Sequence, residues 1–164
     1  MRFPLLLLAA SAFAAPDIFD AIRRGDASAV SQLAADVNVR RPDGTTPLHH
    51  AVVTADAAMV ELLLRLKADP AAANAGRYTP LHYALSDLRK TKALLAAGAG
   101  PDIATRNGIR PLQLAASRKG AEDFLQALLD AGAKPSTAAV EAAAGRSSPL
   151  ICAKAGMQIS SQVA

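Results

Sequence analysis

One hexapeptide recurs along this chain and constrains its fold more than composition does. Thr46 to Ala51 read T-P-L-H-H-A, Thr79 to Ala84 read T-P-L-H-Y-A, and Arg110 to Ala115 read R-P-L-Q-L-A, at intervals of 33 and 31 residues. A repeat of this size is one supersecondary unit, and such a unit buries its apolar face only by stacking on a neighbour. Within the hexapeptide, Thr46 and Thr79 are suited to cap a helix by accepting a bond from an otherwise unpaired backbone N–H. The proline that follows fills the first helical position, where no N–H is required. Leu48, Leu81 and Leu112 supply apolar bulk. Ala51, Ala84 and Ala115 leave room for a close neighbour.

A second amphipathic segment follows each copy: Val60 to Leu64, Ala93 to Leu95, and Phe124 to Leu129. Stop signals come next, at Lys67-Ala68-Asp69-Pro70, Gly98-Ala99-Gly100-Pro101 and Gly132-Ala133-Lys134-Pro135. Gly98 and Gly132 can adopt the left-handed backbone that ends a helix, and proline forbids continuation. Asp43-Gly44 and Asn107-Gly108 are tight-turn dipeptides ahead of the next unit. Helix, helix, hairpin-like turn: the pattern resembles the ankyrin-repeat family. That resemblance implies an all-α solenoid of about five stacked helix pairs joined by short β-hairpin-like connections, at approximately 16–37, 38–70, 71–101, 102–134 and 135–160.

Departures from the family pattern carry expectations of their own. Lys67 and Arg77 stand where the family has a left-handed glycine, and Ala55 stands where it has the glycine between helices. A side chain forced to positive φ costs on the order of 1 kcal/mol, so these junctions are expected to be weaker or differently shaped. The unit containing Thr79 is two residues short between its helices, which predicts a shortened turn with 87–92 irregular. Asp17 to Leu33 resembles an N-terminal capping pair, in which Gly25 makes the turn and accounts for the Arg24-Gly25-Asp26 tripeptide without adhesion chemistry. Ser148 to Ala153 admits two alignments, a fourth hexapeptide or the start of a last helix, and the second fits Leu150 to Gly156 better.

Residues 1–14 read as a secretory leader: Met1-Arg2, an apolar run from Phe3 to Ala10, and Ala12-Phe13-Ala14 as the cleavage site. The apolar run is shorter than the roughly 20 residues that span a bilayer. Residues 15–164 then form a single repeat domain with no membrane insertion. The Ala-rich, Arg-biased composition points to a bacterial periplasm, with secretion as the second reading. Cys152 is the single cysteine, so no internal disulfide forms, and it falls on the apolar face of the last helix.

The net charge of +4, or +3 once Arg2 leaves with the leader, is too small to point to nucleic acid. Its placement is more informative. Arg40, Arg41, Arg77, Arg106 and Arg110 lie in or beside the hairpins, with Asp43 the acid near the tips. Stacked hairpins form one row, so these arginines are expected to line one edge of the concave surface, suited to an acidic protein partner. The resemblance implies contacts through hairpin tips and the exposed side of the first helix of each pair: Arg41, Thr45, His50, Arg77, Tyr78, Tyr83, Arg106, Ile109, Leu114 and Arg118. Tyrosine and arginine are frequent interface anchors, and both tyrosines of the chain fall in one repeat.

No enzyme signature accompanies the array. The sequence holds no G-x-S-x-G, H-E-x-x-H or P-loop pattern. Gly98-Ala99-Gly100 is a helix stop, and the pairs Asp17 with Asp20 and Glu122 with Asp123 sit where negative charge complements a helix dipole. His49 and His82 hold the motif position, where the family's ring bonds the neighbouring hairpin. His50 has no ligands at zinc spacing. The expected molecule is a monomeric, non-catalytic protein-binding scaffold without cofactor or metal, serving as inhibitor, immunity factor or escort. The alternative is an accessory enzyme or small-ligand protein using His50, Arg77 and Tyr83 on the concave face.

Overall fold

The computed structural model describes residues 17–118 and 120–135. The expected leader, Cys152 and nearly all of the expected fifth repeat lie outside them. Four helix pairs follow in order: α1 (Ile18–Arg23) with α2 (Ala27–Gln32), α3 (Pro47–Thr54) with α4 (Ala57–Arg65), α5 (Pro80–Ala84) with α6 (Leu88–Ala96), and α7 (Pro111–Ala116) with α8 (Glu122–Asp130). A short 3₁₀ turn, Ala34–Asp36, follows α2. No strand occurs among the described residues.

The pairs stack in two layers. In the inner layer α1 packs on α3, α3 on α5, and α5 on α7; in the outer layer α2 packs on α4, α4 on α6, and α6 on α8. One column of leucines (Leu48, Leu81, Leu112) runs through the inner layer and a second (Leu63, Leu94, Leu128) through the outer. All six are at most 1% exposed, each stabilising the stack by about 1.5–3 kcal/mol. Ala51, Ala84 and Ala115 are equally buried, which lets the inner helices approach closely.

Local chemistry sets the helix starts. Pro47, Pro80 and Pro111 occupy the first turns of α3, α5 and α7. Carboxylates of Asp17, Asp26, Asp56 and Asp87 accept from backbone N–H groups at the starts of α1, α2, α4 and α6. In the degraded third hexapeptide, Gln113 takes over the role of the motif histidine: its Oε1 accepts the Arg110 N–H at 2.8 Å.

Junction backbones follow the expected departures in part. Lys67 adopts a φ of 68° in the helix-ending position, where Gly98 has 92° and Gly132 has 90°, and Arg77 adopts 61° in the connection before α5. Ala55 does not share that strain. It is extended (φ −110°, ψ 176°), so the turn between α3 and α4 is differently shaped from those at Gly25 and Gly120, which are left-handed.

The irregularity expected over 87–92 is absent. Asp87 caps a regular nine-residue α6, accepting from Arg89 N–H at 2.9 Å and Lys90 N–H at 3.2 Å. The two missing residues come instead out of the inner helix: α5 is three residues shorter than α3, and its connection to the outer helix, 85–87, is one residue longer than 55–56, so the expected shortened turn does not form. Buried Thr91 secures this arrangement by donating its hydroxyl to the carbonyls of Ala84 and Asp87, at 2.9 and 3.0 Å.

Candidate protein-binding surface

The connections before α3, α5 and α7 each contain a five-residue turn closed by its own backbone. Arg41 N–H donates to the Thr45 carbonyl at 2.9 Å, Asn74 N–H to Tyr78 at 3.0 Å, and Thr105 N–H to Ile109 at 2.9 Å. Gly44, Arg77 and Gly108 hold the left-handed place in the three turns. The turns are joined in series: Ala75 N–H donates to the Asp43 carbonyl and Arg106 N–H to the Gly76 carbonyl, both at 2.9 Å. Arg40 adds a side-chain bond to the Ala73 carbonyl at 2.8 Å. The tips are therefore one hydrogen-bonded row.

Two histidines tie the inner helices to this row. The Thr46 N–H points at His49 Nδ1, 3.3 Å away, and an amide can only donate. Nδ1 is thus the acceptor, and Nε2 carries the proton that it donates to the Tyr78 carbonyl at 2.9 Å. His82 repeats the arrangement, with Thr79 N–H 3.1 Å from Nδ1 and Nε2 directed at the Ile109 carbonyl at 3.4 Å. Burial lowers the pKa of both rings below the ordinary histidine value, so both are neutral near pH 7.

A model of ankyrin repeats, in three copies, matches residues 18–104. The chain belongs to the ankyrin-repeat family. Its sequence is also similar to a putative palmitoyltransferase, ZDHHC13, of Danio rerio: 34% identical over 126 residues, which is 76% of this chain and 18% of that protein. The chain spans less than a fifth of that relative's length, so the relative's transferase chemistry stays with the relative. Ankyrin arrays generally mediate protein–protein interaction and are typically non-catalytic.

The ankyrin array places the contact residues expected from sequence unevenly. Arg77 and Arg106 are exposed on the row of tips, and no carboxylate pairs with either among the described residues. Arg41 is exposed too, but its guanidinium lies 3.9 Å over the Phe19 ring, a cation–π contact that rests it on the first repeat. Thr45 is half-buried, and its hydroxyl donates to Asp43 Oδ2 at 2.8 Å. Hydrogen bonds from the Thr45 backbone and hydroxyl hold the Asp43 carboxyl below its usual pKa, so this acid stays charged at the tips.

Tyr83 is 39% exposed, and Asn74 Nδ2 donates to its hydroxyl at 3.2 Å. Tyr78 is half-buried, 5.6 Å centroid to centroid from both Tyr83 and His82. The two tyrosines are one aromatic patch, with Tyr83 its outer member. His50 turns toward the first repeat, its ring edge-on to Phe19 at 5.7 Å. Burial, then the charges of Arg41 and Arg23, lower its pKa. Its Nε2 is buried without a hydrogen-bond partner.

Ile109 and Leu114 are half-buried, and Leu114 packs against the core. Arg118 is exposed, yet its Nη1 donates to the Leu85 carbonyl at 2.6 Å and so closes the end of α5. Val53 was not evident from the sequence. It is 64% exposed on α3, one turn beyond His50. The run His-His-Ala-Val-Val gives no clue to which valine faces solvent; Val52 is buried at 4%. No group of three or more His, Cys, Asp or Glu that could hold a metal occurs among the described residues, and none of their helices is long and apolar enough to cross a membrane.

Proposed function

We propose that this chain is a protein-binding scaffold that grips one partner through its hairpin tips and inner helices, with an acidic protein surface as the complement. The carrying observation is the hydrogen-bonded row of tips, on which Arg77 and Arg106 stand exposed, without carboxylate partners among the described residues, beside the Tyr78–Tyr83 patch. A row locked by backbone bonds presents its charges with little loss of backbone freedom on binding. Val53 extends the contact surface along α3 as an exposed apolar side chain.

The array acts as a monomer in the periplasm after removal of residues 1–14. There it serves as inhibitor, immunity factor or escort, and residues 135–160 complete it as the fifth repeat. These assignments rest on the leader pattern and the repeat spacing in the sequence.

The test is affinity capture from a periplasmic extract with the mature chain, beside a variant carrying Arg77→Ala, Tyr83→Ala and Arg106→Ala. One partner retained by the parent and lost by the variant supports the reading. Equal capture by both chains rejects this surface.

A further inference from the structure

We propose a second docking surface on the outer layer: the trough between α4 and α6, shaped for an amphipathic helix of a partner protein whose apolar stripe is flanked by carboxylates. The trough originates in sequence. Aligned on their helix-ending residues Lys67 and Gly98, α6 carries Ala93, Ala96 and Ala97 where α4 carries Leu62, Arg65 and Leu66. These truncations leave an open groove of about 970 Å³ between two neighbouring outer helices, with Leu64, Leu88 and the three alanines in its wall. A groove between two adjacent helices accepts a third helix, whose side chains enter at i, i+3, i+4 and i+7 spacing.

Charge selects the occupant. Arg65, Arg89 and Lys92 line the groove against one carboxylate, Glu61, which already accepts from Arg89 Nε at 3.0 Å. No carboxylate pairs with Arg65 or Lys92 among the described residues. The excess is local. On α8, aligned on Gly132, the positions of Arg89 and Lys92 hold Asp123 and Gln126. The trough also belongs to the outer helices, whereas the tips and inner helices carry the surface of the proposed function, so each can be disabled without the other.

The test uses a fluorescent helical peptide with a leucine stripe flanked by glutamates, and a twin with lysines in their place. Fluorescence anisotropy should give saturable binding of the glutamate peptide to the full chain, with Kd on the order of 10 μM. Arg65→Glu combined with Lys92→Glu should weaken it at least about tenfold and reverse the preference toward the lysine twin, by the sign of the interaction. Ala96→Phe, at an exposed helix position, should weaken both peptides by filling the groove.

Circular dichroism confirms that each variant keeps its helices, and capture through the hairpin face should be unchanged in both. Equal affinity for the two peptides overturns the proposal. So does failure to saturate below about 1 mM. Retention on phosphatidylglycerol vesicles without peptide binding overturns it in favour of a membrane surface, and self-association that the peptide cannot displace overturns it in favour of a second copy of the chain.

Discussion

Lys90 Nζ donates to the Ala55 carbonyl at 2.7 Å, so a cation from one repeat closes the end of an inner helix in the repeat before it. A second bond reaches the Val52 carbonyl at 2.9 Å. Positive charge at a helix C-terminus complements its dipole and satisfies carbonyls with no intrahelical partner. In the repeat alignment Lys90 takes the place of Met59; it is buried, and its ammonium also lies 3.9 Å from Asp87 Oδ2. Lys90→Ala, which removes both packing and bonds, should cost about 2–4 kcal/mol. Lys90→Met, which keeps the volume, should cost about 1–2 kcal/mol. Urea unfolding of the three proteins gives the order; a Met variant as stable as the parent would show that the carbonyl bonds add nothing net.

Lys67 and Arg77 hold positive φ without being glycine. Each stores backbone strain of about 1 kcal/mol, partly offset because glycine loses more conformational entropy on folding. Lys67→Gly and Arg77→Gly should each raise the urea midpoint, by a gain of about 0.5 kcal/mol. A fall in either midpoint rejects the strain account. The Arg77 replacement carries a further consequence, because it should stabilise the array while weakening partner capture.

The parts of this fold that could be read from sequence are those set by local rules. The cap at Thr46, the proline starts, and the left-handed positions at 67, 77, 98 and 132 each depend on a few neighbouring residues. The inter-repeat latches were not legible. Lys90 to Val52, Arg118 to Leu85 and Arg40 to Ala73 each join a side chain to a carbonyl more than 30 residues away, and nothing in a spacing rule marks that carbonyl. The two-residue deletion was misplaced for a similar reason. The Asp87 cap and the Thr91 hydroxyl hold the start of α6, leaving α5 to give up its last turn. At the candidate site, the residue types and their row were legible, but Val53's exposure and the Asn74 bond to Tyr83 depend on packing.

His49 and His82 make the array sensitive to mild acid. Both have folded-state pKa values lowered chiefly by burial, so between the folded and unfolded values the unfolded chain binds more protons. Their stabilising effect is complete above the unfolded value of about 6.5 and is lost as pH falls through the folded values. Protonation also places a hydrogen on Nδ1, facing the amide donor of Thr46 or Thr79. Unfolding free energy measured in urea should level off above about pH 7 and decline below about pH 6.5. His82→Gln should reduce the decline, since Gln113 performs the capping part of the same task without titrating in this range. A parent profile flat from pH 8 to pH 5 would falsify the assignment of neutral rings.

Arg77 and Arg106 should act on association more than on folding. Both are exposed and unpaired with carboxylates among the described residues, so Arg77→Glu with Arg106→Glu should leave the array folded. Against the captured partner, charge reversal should lower the association rate at low salt by about tenfold or more, and the gap should narrow as salt rises. Tyr83→Ala should instead speed dissociation, because a well-packed aromatic anchor acts mainly on residence time. Surface plasmon resonance at two salt concentrations separates these effects. An association rate insensitive to both arginines would mean that the charge along the tips does not steer the partner, leaving the aromatic patch and Val53 as the contacts to test next.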